Sequence, residues 1–236
     1  MLFFINVGAF MIERIKNFLR TKLKPLLLLL VTVILYNGWT PHLGIFPPTF
    51  YDFAFNYYGF VDILTFLVII VIAYKNDAFK KIFDIFRPKN LLFILFFIVG
   101  GNIFIALAHH LYFQMTPALE AFPEHSIYLV NYFARTPFWS HSLDLFVIGP
   151  ISEELIYREY LYRLFDKKCL ACFVSVTVFA WVHTGFTYSF FLYLPISLVV
   201  TLAYHRRKAI GESIALHSSI NLINTYLPNL LSFWVF

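Results

Sequence analysis

Long apolar runs separated by short polar segments divide the chain. Seven such runs lie at about 25–40, 56–74, 91–112, 143–165, 169–185, 187–204 and 209–227. Most are close to the ~20 residues that a helix needs to cross the hydrocarbon core of a bilayer. The pattern predicts an all-α protein, a polytopic membrane bundle of about seven transmembrane helices, with six to eight as the range. The long segment 113–140 could add a re-entrant or interfacial element.

Basic residues lie mostly in the polar segments, and their distribution predicts the topology. Fifteen of the eighteen Lys and Arg residues fall in segments 11–24, 75–90, 166–168 and 205–208. Cytoplasmic loops are enriched in Lys and Arg, so the N-terminus is predicted to be cytoplasmic. The chain then divides into a basic membrane-surface segment, N-terminal transmembrane helices with an outer loop, and a C-terminal helical region, at 1–24, 25–140 and 141–236.

Composition narrows the class of protein. Of the 236 residues, 60% are hydrophobic, 13% are charged and 30 are Phe, whereas a soluble domain carries nearer a quarter charged residues. Lipid can solvate so much apolar surface and water cannot. The net charge of +5 comes from short clusters between apolar runs, so we expect a multi-pass protein in contact with a lipid bilayer and no nucleic-acid partner.

Charged residues interrupt the fourth apolar run. A charged side chain in hydrocarbon costs at least ~2.5 kcal/mol on insertion scales, so it needs a structural or functional reason. Glu154 and Arg158 are four residues apart on one helix face and can form an ion pair. Glu153 projects about 100° away from that face and lacks this partner. It is therefore a candidate general base facing a polar cavity.

Polar residues also occur in the fifth and seventh runs. His183 closes the fifth run, and His217 and Asn221 lie one turn apart on one face of the seventh. At ~1.5 Å of rise per residue, these three residues and Glu153 fall near mid-membrane on three different helices. Any one of these residues could have a purely structural role, forming a hydrogen bond between helices. Four at similar depth favour one intramembrane functional cavity.

Three short motifs carry a resemblance to a known family. They are E-E-x-x-x-R at Glu153, Glu154 and Arg158, F-x-x-x-H at Phe179 and His183, and H-x-x-x-N at His217 and Asn221. In this order, over about 145–225, they resemble the CPBP family of intramembrane proteases, the CAAX proteases and bacteriocin-processing enzymes also called the Abi family.

The resemblance implies a glutamate-dependent intramembrane endopeptidase that hydrolyses a peptide bond of a membrane-associated protein or peptide. By this resemblance Glu153, with His183, would activate a water molecule, and His217 and Asn221 would stabilise the oxyanion. Region 141–236 would be the catalytic region. Because the sequence shows no large soluble insert, we expect a bacterial plasma-membrane protein, with bacteriocin processing or self-immunity as its setting.

Three further residues of the motifs would support this site. Glu154 and Arg158 would stabilise the helix and adjust the properties of the site. For Phe179 we expect a role in packing and not in the chemistry. Glu212 lies about one turn before the histidine of the seventh run. It could be a hydrogen-bond partner of His217 or could be solvated near the inner face.

The sequence leaves the metal content open. No cofactor is certain, but a glutamate, two histidines and a water molecule would suit zinc. The ligands would then be Glu153, His183 and His217. An H-E-x-x-H motif is absent from the sequence, which argues against an ordinary zincin.

Other functions compete with the peptidase. The same fold could serve a non-catalytic immunity or regulatory protein that binds a peptide or a sensor kinase in the membrane. A proton-coupled transporter could use Glu153 and the histidines as a relay, but the sequence shows no internal repeat of the kind common in transporters.

Overall fold

The described secondary structure is entirely helical. The computed structural model describes residues 2–37, 58–115, 137–185 and 187–232, and no β-strand occurs among them. The all-α prediction is therefore confirmed. A short 3-10 helix, Ile82–Phe86, precedes the third long helix. The long helices in the described residues are α1 Leu2–Asn37, α2 Tyr58–Lys75, α3 Pro88–Met115, α4 at 138–161, α5 Lys168–Thr184, α6 Phe190–Arg207 and α7 Ile210–Ser232.

The apolar runs predict six of these helices to within a few residues, and α1 is the exception. The basic segment and the first apolar run form one continuous helix through Pro25. The sequence suggested a boundary there because the basic cluster of 11–24 gives way to an apolar run at residue 25. The helix continues even though an interior proline removes a backbone hydrogen bond and usually bends or ends a helix. The membrane-surface position of 1–24 stays a prediction. In the predicted outer segment, residues 116–136 lie outside the described residues.

Helix α4, which carries the acidic motif, is not a regular α-helix. It alternates between α and π geometry, through Phe138–Leu143 (α), Asp144–Ile148 (π), Gly149–Glu154 (α) and Leu155–Leu161 (π). In the first π segment the Gly149 amide donates to the Asp144 carbonyl, five residues back. Pro150 follows, and it has no amide hydrogen to continue the ladder. Such wide turns inside helices often lie at functional sites.

The bundle exposes apolar side chains and buries charged ones. On α3, Leu92 is 67% exposed and Phe96 71% exposed, whereas Glu154 and Arg158 on α4 are 0% exposed. Lipid solvates such an outer surface better than water does. Within the described residues α3 is both long and apolar enough to cross a membrane, and α5 is apolar but shorter. The seven-span topology with a cytoplasmic N-terminus stays a prediction.

Two apolar clusters bring the polar residues of α4, α5 and α7 together. The first joins α3, α6 and α7 through Ile105, Val199, Val200, Ala203, Leu216 and Ile220. The second joins α2, α4, α5 and α6 and includes Ile69, Leu155, Ala171 and Tyr204. Helix α6 therefore lies between α5 and α7, packed against both.

A buried ionic cluster joins α6 and α7 at one end of the bundle. Glu212 is 0% exposed, and its Oε1 lies 2.7 Å from Arg206 Nη2 and 3.3 Å from Arg207 Nε. Arg207 also pairs with Asp84 at 3.0 Å. Both sequence expectations for Glu212 are wrong: it is neither a partner of His217 nor solvated. The turn after α6 brings the two arginines onto the first turn of α7, where they pair with it.

Candidate active site

Glu153 turns its two carboxylate oxygens towards different partners. The Tyr36 hydroxyl, at the end of α1, donates to Oε1 at 3.1 Å. Oε2 lies 3.6 Å from His183 Nε2 and 3.8 Å from His217 Nε2. Both distances exceed the ~3.2 Å limit of an N–H···O hydrogen bond. The three groups therefore face one another with a small gap, and the Glu153 side chain is 15% exposed.

Gly149, one helical turn before Glu153, gives Tyr36 room to approach. A β-carbon at this position would lie 2.9 Å from the Asp144 carbonyl oxygen and 3.4 Å from the Tyr36 hydroxyl. The first distance is closer than a side chain tolerates, and the backbone that causes it cannot move easily. The wide turn of α4 and the contact between Tyr36 and Glu153 therefore depend on glycine here.

A hydrogen bond and a ring stack hold His183 at the C-terminal end of α5. Its Nδ1 donates to the Phe179 carbonyl oxygen at 2.7 Å, four residues back in the same helix. Its ring stacks on Tyr193 of α6, with the centroids 5.1 Å apart and the planes inclined by 22°. Because a carbonyl oxygen only accepts, Nδ1 carries the hydrogen. Nε2 is then the nitrogen that faces Glu153.

His217 lies between the two adjacent glutamates of α4. Its Nδ1 donates to Glu154 Oε1 at 2.8 Å, while its Nε2 faces Glu153. Glu154 Oε1 also pairs with Arg158 Nη1 at 3.1 Å, which is the ion pair expected from their spacing. A carboxylate on one imidazole nitrogen fixes the ring orientation and the tautomer. Glu154 therefore directs Nε2 of His217 towards Glu153.

Phe179 is the apolar centre around which these groups pack. Its side chain is 2% exposed, and the Arg158 guanidinium lies 4.4 Å from its ring centroid. The rings of His183 and His217 lie 4.3 and 5.7 Å from it. Arg158 also reaches the Ser197 hydroxyl at 3.4 Å. Phe179 of the F-x-x-x-H motif thus has two roles: its ring packs against the buried Arg158 guanidinium, and its carbonyl oxygen orients His183.

Known proteins match the chain over this region and beyond it. Residues 135–223 match the family model described as type II CAAX prenyl endopeptidase Rce1-like. The UPF0177 protein YbdJ of Lactococcus lactis subsp. lactis (strain IL1403) is 97% identical over 226 residues, which cover 96% of this chain and 100% of that protein. The chain belongs to the UPF0177 family of Abi (CPBP) proteins.

Further UPF0177 proteins of the same strain are more distant. YbdI is 38% identical over 170 residues (71% of this chain, 93% of YbdI), and YaiH is 31% identical over 235 residues (94% of each). No solved structure matches the chain. The Rce1-like family is membrane-embedded and is generally a family of proteases. Glu153, His183 and His217 all fall within the matched residues 135–223, and Tyr36 lies outside them.

Asn221 of this UPF0177 protein lies one turn along α7 from His217, and its amide contacts the α4 backbone. Nδ2 donates to the Leu145 carbonyl oxygen at 2.9 Å. In the π segment this carbonyl would receive its hydrogen from residue 150, which is a proline. Asn221 therefore supplies the hydrogen that Pro150 lacks. A role of Asn221 in oxyanion binding stays a prediction.

The candidate zinc ligands do not form a metal site in the described structure. Within residues 2–37, 58–115, 137–185 and 187–232, no group of three or more His, Cys, Asp and Glu side chains is arranged to hold a metal ion. Zinc binding by Glu153, His183 and His217 stays a prediction. The chemistry below is derived from these side chains alone.

Three side chains of the site fall outside the sequence motifs. Tyr36 comes from α1, and Tyr193 and Ser197 come from α6. Tyr193 and Ser197 are four residues apart, so they lie on one polar face of an otherwise apolar run. That spacing could have identified them as residues facing the site. Tyr36 gave no such signal, because it is one of 15 tyrosines and lies 117 residues from Glu153.

Proposed function

We propose that this UPF0177 protein is an intramembrane endopeptidase that hydrolyses a peptide bond of a membrane-associated protein or peptide. The observation that carries the proposal is the convergence of His183 Nε2 and His217 Nε2 on one oxygen, Glu153 Oε2, at 3.6 and 3.8 Å. A carboxylate and two imidazoles at one partly exposed point can take a proton from water and return it. The generally proteolytic character of the Rce1-like family supports the same function.

Glu153 is the proposed general base. Tyr36 holds Oε1, so Oε2 is the oxygen that accepts the proton from water. The 3.6 Å gap to His183 Nε2 allows a water molecule to approach Oε2 without breaking a strong hydrogen bond. His183 has its Nδ1 hydrogen committed to the Phe179 carbonyl, so Nε2 can accept a hydrogen bond from the same water.

His217 is the proposed donor to the oxyanion. With Glu154 on Nδ1, a protonated His217 donates from Nε2 into the space beside Glu153, where the negative charge of the tetrahedral intermediate develops. One such donor contributes about 2.7–4 kcal/mol to transition-state stabilisation. Asn221 would be the second donor, since an amide carries two hydrogens and the Leu145 carbonyl receives one.

A multi-pass position in the bacterial plasma membrane is part of the proposal. Exposed apolar side chains on α3 and buried charges on α4 support it, as does the concentration of basic residues in alternate loops. A site enclosed by such helices would take a substrate from the membrane. We propose a membrane peptide or protein substrate of this kind, in bacteriocin processing or self-immunity.

Cleavage by the purified protein in liposomes tests the proposal. The substrates are a library of short membrane peptides, incubated with and without a chelator. We expect the parent to cleave and Glu153→Gln to lower the rate by about 10²–10⁴-fold, the usual contribution of a general base. Glu13→Gln, at an exposed position of α1, is the matched control and should cleave like the parent. Loss of cleavage with the chelator would reveal a metal requirement.

A non-catalytic immunity protein would behave differently. Neither the parent nor Glu153→Gln would cut any peptide, and both would protect cells equally against a peptide toxin. That pair of results, obtained with a Glu153→Gln protein of parental thermal stability, would replace the endopeptidase by a binding role.

A further inference from the structure

A recess lies at the basic end of the bundle, away from the polar groups around Glu153. Its volume is about 250 Å³, and it opens between the end of α4, the start of α5 and the turn from α6 to α7. Two tyrosines, Tyr162 and Tyr204, form its apolar wall. The charged side chains that line it are Arg163, Asp166, Lys168 and Lys208.

The recess carries an excess of positive charge. Its acidic residue, Asp166, is paired with Lys22 Nζ of α1 at 2.5 Å. Arg163 is paired with Glu159 but remains 49% exposed, so its guanidinium can reach a further anion. Among the described residues, neither Lys168 nor Lys208 forms an ion pair with a carboxylate. The carboxylate that acts on Lys208, Glu159, is already paired with Arg163, so the positive charges of the recess outnumber the negative ones.

Lys208 is held inside the recess by its backbone and by the tyrosine rings. It ends α6 with φ 54° and ψ 42°, a left-handed conformation that non-glycine residues adopt infrequently. Its Nζ lies 3.1 Å from the Tyr162 ring centroid and 5.3 Å from that of Tyr204. Partial burial, and then the nearby Lys168, lower the pKa of Lys208 to about 8. A bound anion would offset both effects, because it stabilises the charged form of the ammonium group.

We propose that this recess binds a phosphate group, either the headgroup phosphate of an anionic lipid or a free phosphate ion. Two ammonium groups and a guanidinium supply charge-assisted donors for phosphate oxygens. Basic pockets between transmembrane helices on the cytoplasmic side bind anionic headgroups, and the recess lies where the basic loops predict that side. The proposal does not depend on the chemistry proposed for Glu153.

Equilibrium binding to the full-length protein in an uncharged detergent tests the proposal. The probes are short-chain phosphatidylglycerol, short-chain phosphatidylcholine and inorganic phosphate. The variant is Lys168→Gln with Lys208→Gln. The matched control is Lys80→Gln with Lys89→Gln, which removes the same charge from two exposed lysines near the 3-10 helix. Because a basic residue near an anionic lipid contributes about five-fold in affinity, we expect the variant to bind phosphatidylglycerol about 30-fold more weakly than the parent.

The three probes separate the sources of the phosphate. Phosphatidylglycerol binding that the variant loses and the control keeps supports a lipid site. Inorganic phosphate binding with the same residue dependence supports a site for the free ion. Equal losses in variant and control, or a parent that binds inorganic phosphate no better than the variant does and phosphatidylglycerol no better than phosphatidylcholine, would overturn the proposal. Lys168→Gln alone, at an exposed position, should weaken binding about five-fold. This single variant keeps the test decisive if the double variant does not fold.

Discussion

Glu154→Gln removes the one charge that links Arg158 to His217. Glu154 Oε1 lies 3.1 Å from Arg158 Nη1 and 2.8 Å from His217 Nδ1. Glu154 and Arg158 are fully buried. The glutamine has nearly the same shape as the glutamate, so the substitution changes charge and hydrogen bonding with little change in packing.

The expected loss of stability follows from what remains around Arg158. Removing one partner of a buried ion pair costs about 3–5 kcal/mol, because the other charge is left uncompensated. Arg158 keeps the Phe179 ring at 4.4 Å and the Ser197 hydroxyl at 3.4 Å. A desolvated cation–π contact contributes about 2 kcal/mol, so we expect a loss of about 3 kcal/mol, at the lower end of that range.

A double-mutant cycle in mixed micelles measures this coupling. The free energy of unfolding is determined by denaturant titration for the parent, Glu154→Gln, Arg158→Met and the double variant. Since the charges compensate each other, the double variant should be less destabilised than the two single losses predict, by about 2 kcal/mol. Glu13→Gln, exposed on α1, should leave the unfolding transition unchanged.

Two outcomes would refute this account of Glu154. A loss below about 1 kcal/mol for Glu154→Gln would place the ion pair in the range of solvent-exposed pairs, against its burial. Additive losses in the double variant would mean that Glu154 and Arg158 do not compensate each other.

Two further substitutions test other contacts of the site. Tyr36→Phe deletes the hydroxyl at 3.1 Å from Glu153 Oε1; we expect peptide cleavage to slow about ten-fold, the value of one hydrogen bond to a charged group, with an unchanged thermal transition. A parental rate would exclude Tyr36 as a positioning residue. Asn221→Ala leaves the Leu145 carbonyl without its donor, so the free energy of unfolding should fall by about 1–3 kcal/mol. An unchanged value, measured by the same titration, would show that another group satisfies that carbonyl.

The helices of the bundle were largely predictable because apolar runs and basic loops are local features. Helices α2 to α7 follow the runs to within a few residues. The continuity of α1 through Pro25 was not predictable, because the change from a basic segment to an apolar run has the composition of a boundary. Glu212 was misjudged for a related reason: periodicity within α7 identifies neighbours along one helix, whereas its partners, Arg206 and Arg207, come from α6.

The site was predictable where helical spacing decides a contact. The ion pair of Glu154 with Arg158 and the bond from His183 to the Phe179 carbonyl are both contacts between residues four apart. Contacts between helices were not predictable in the same way. Glu153 and Glu154 project about 100° apart on an ideal helix, yet both reach His217, because the imidazole presents one nitrogen to each of them.

The irregularity of α4 links two sequence features that seemed independent, the Gly149–Pro150 pair and the asparagine of the H-x-x-x-N motif. Pro150 cannot donate a backbone hydrogen, and Gly149 donates to Asp144 instead of Leu145. The Leu145 carbonyl then needs a donor from outside the helix, and Asn221 provides it. An asparagine one turn from His217 is thus required by the backbone of α4 as well as by the proposed oxyanion site. Since an amide has two hydrogens, the Asn221 side chain can donate one to the Leu145 carbonyl and the other to the proposed oxyanion. The wide turn that brings Glu153 to Tyr36 is therefore also the turn that holds Asn221 beside His217.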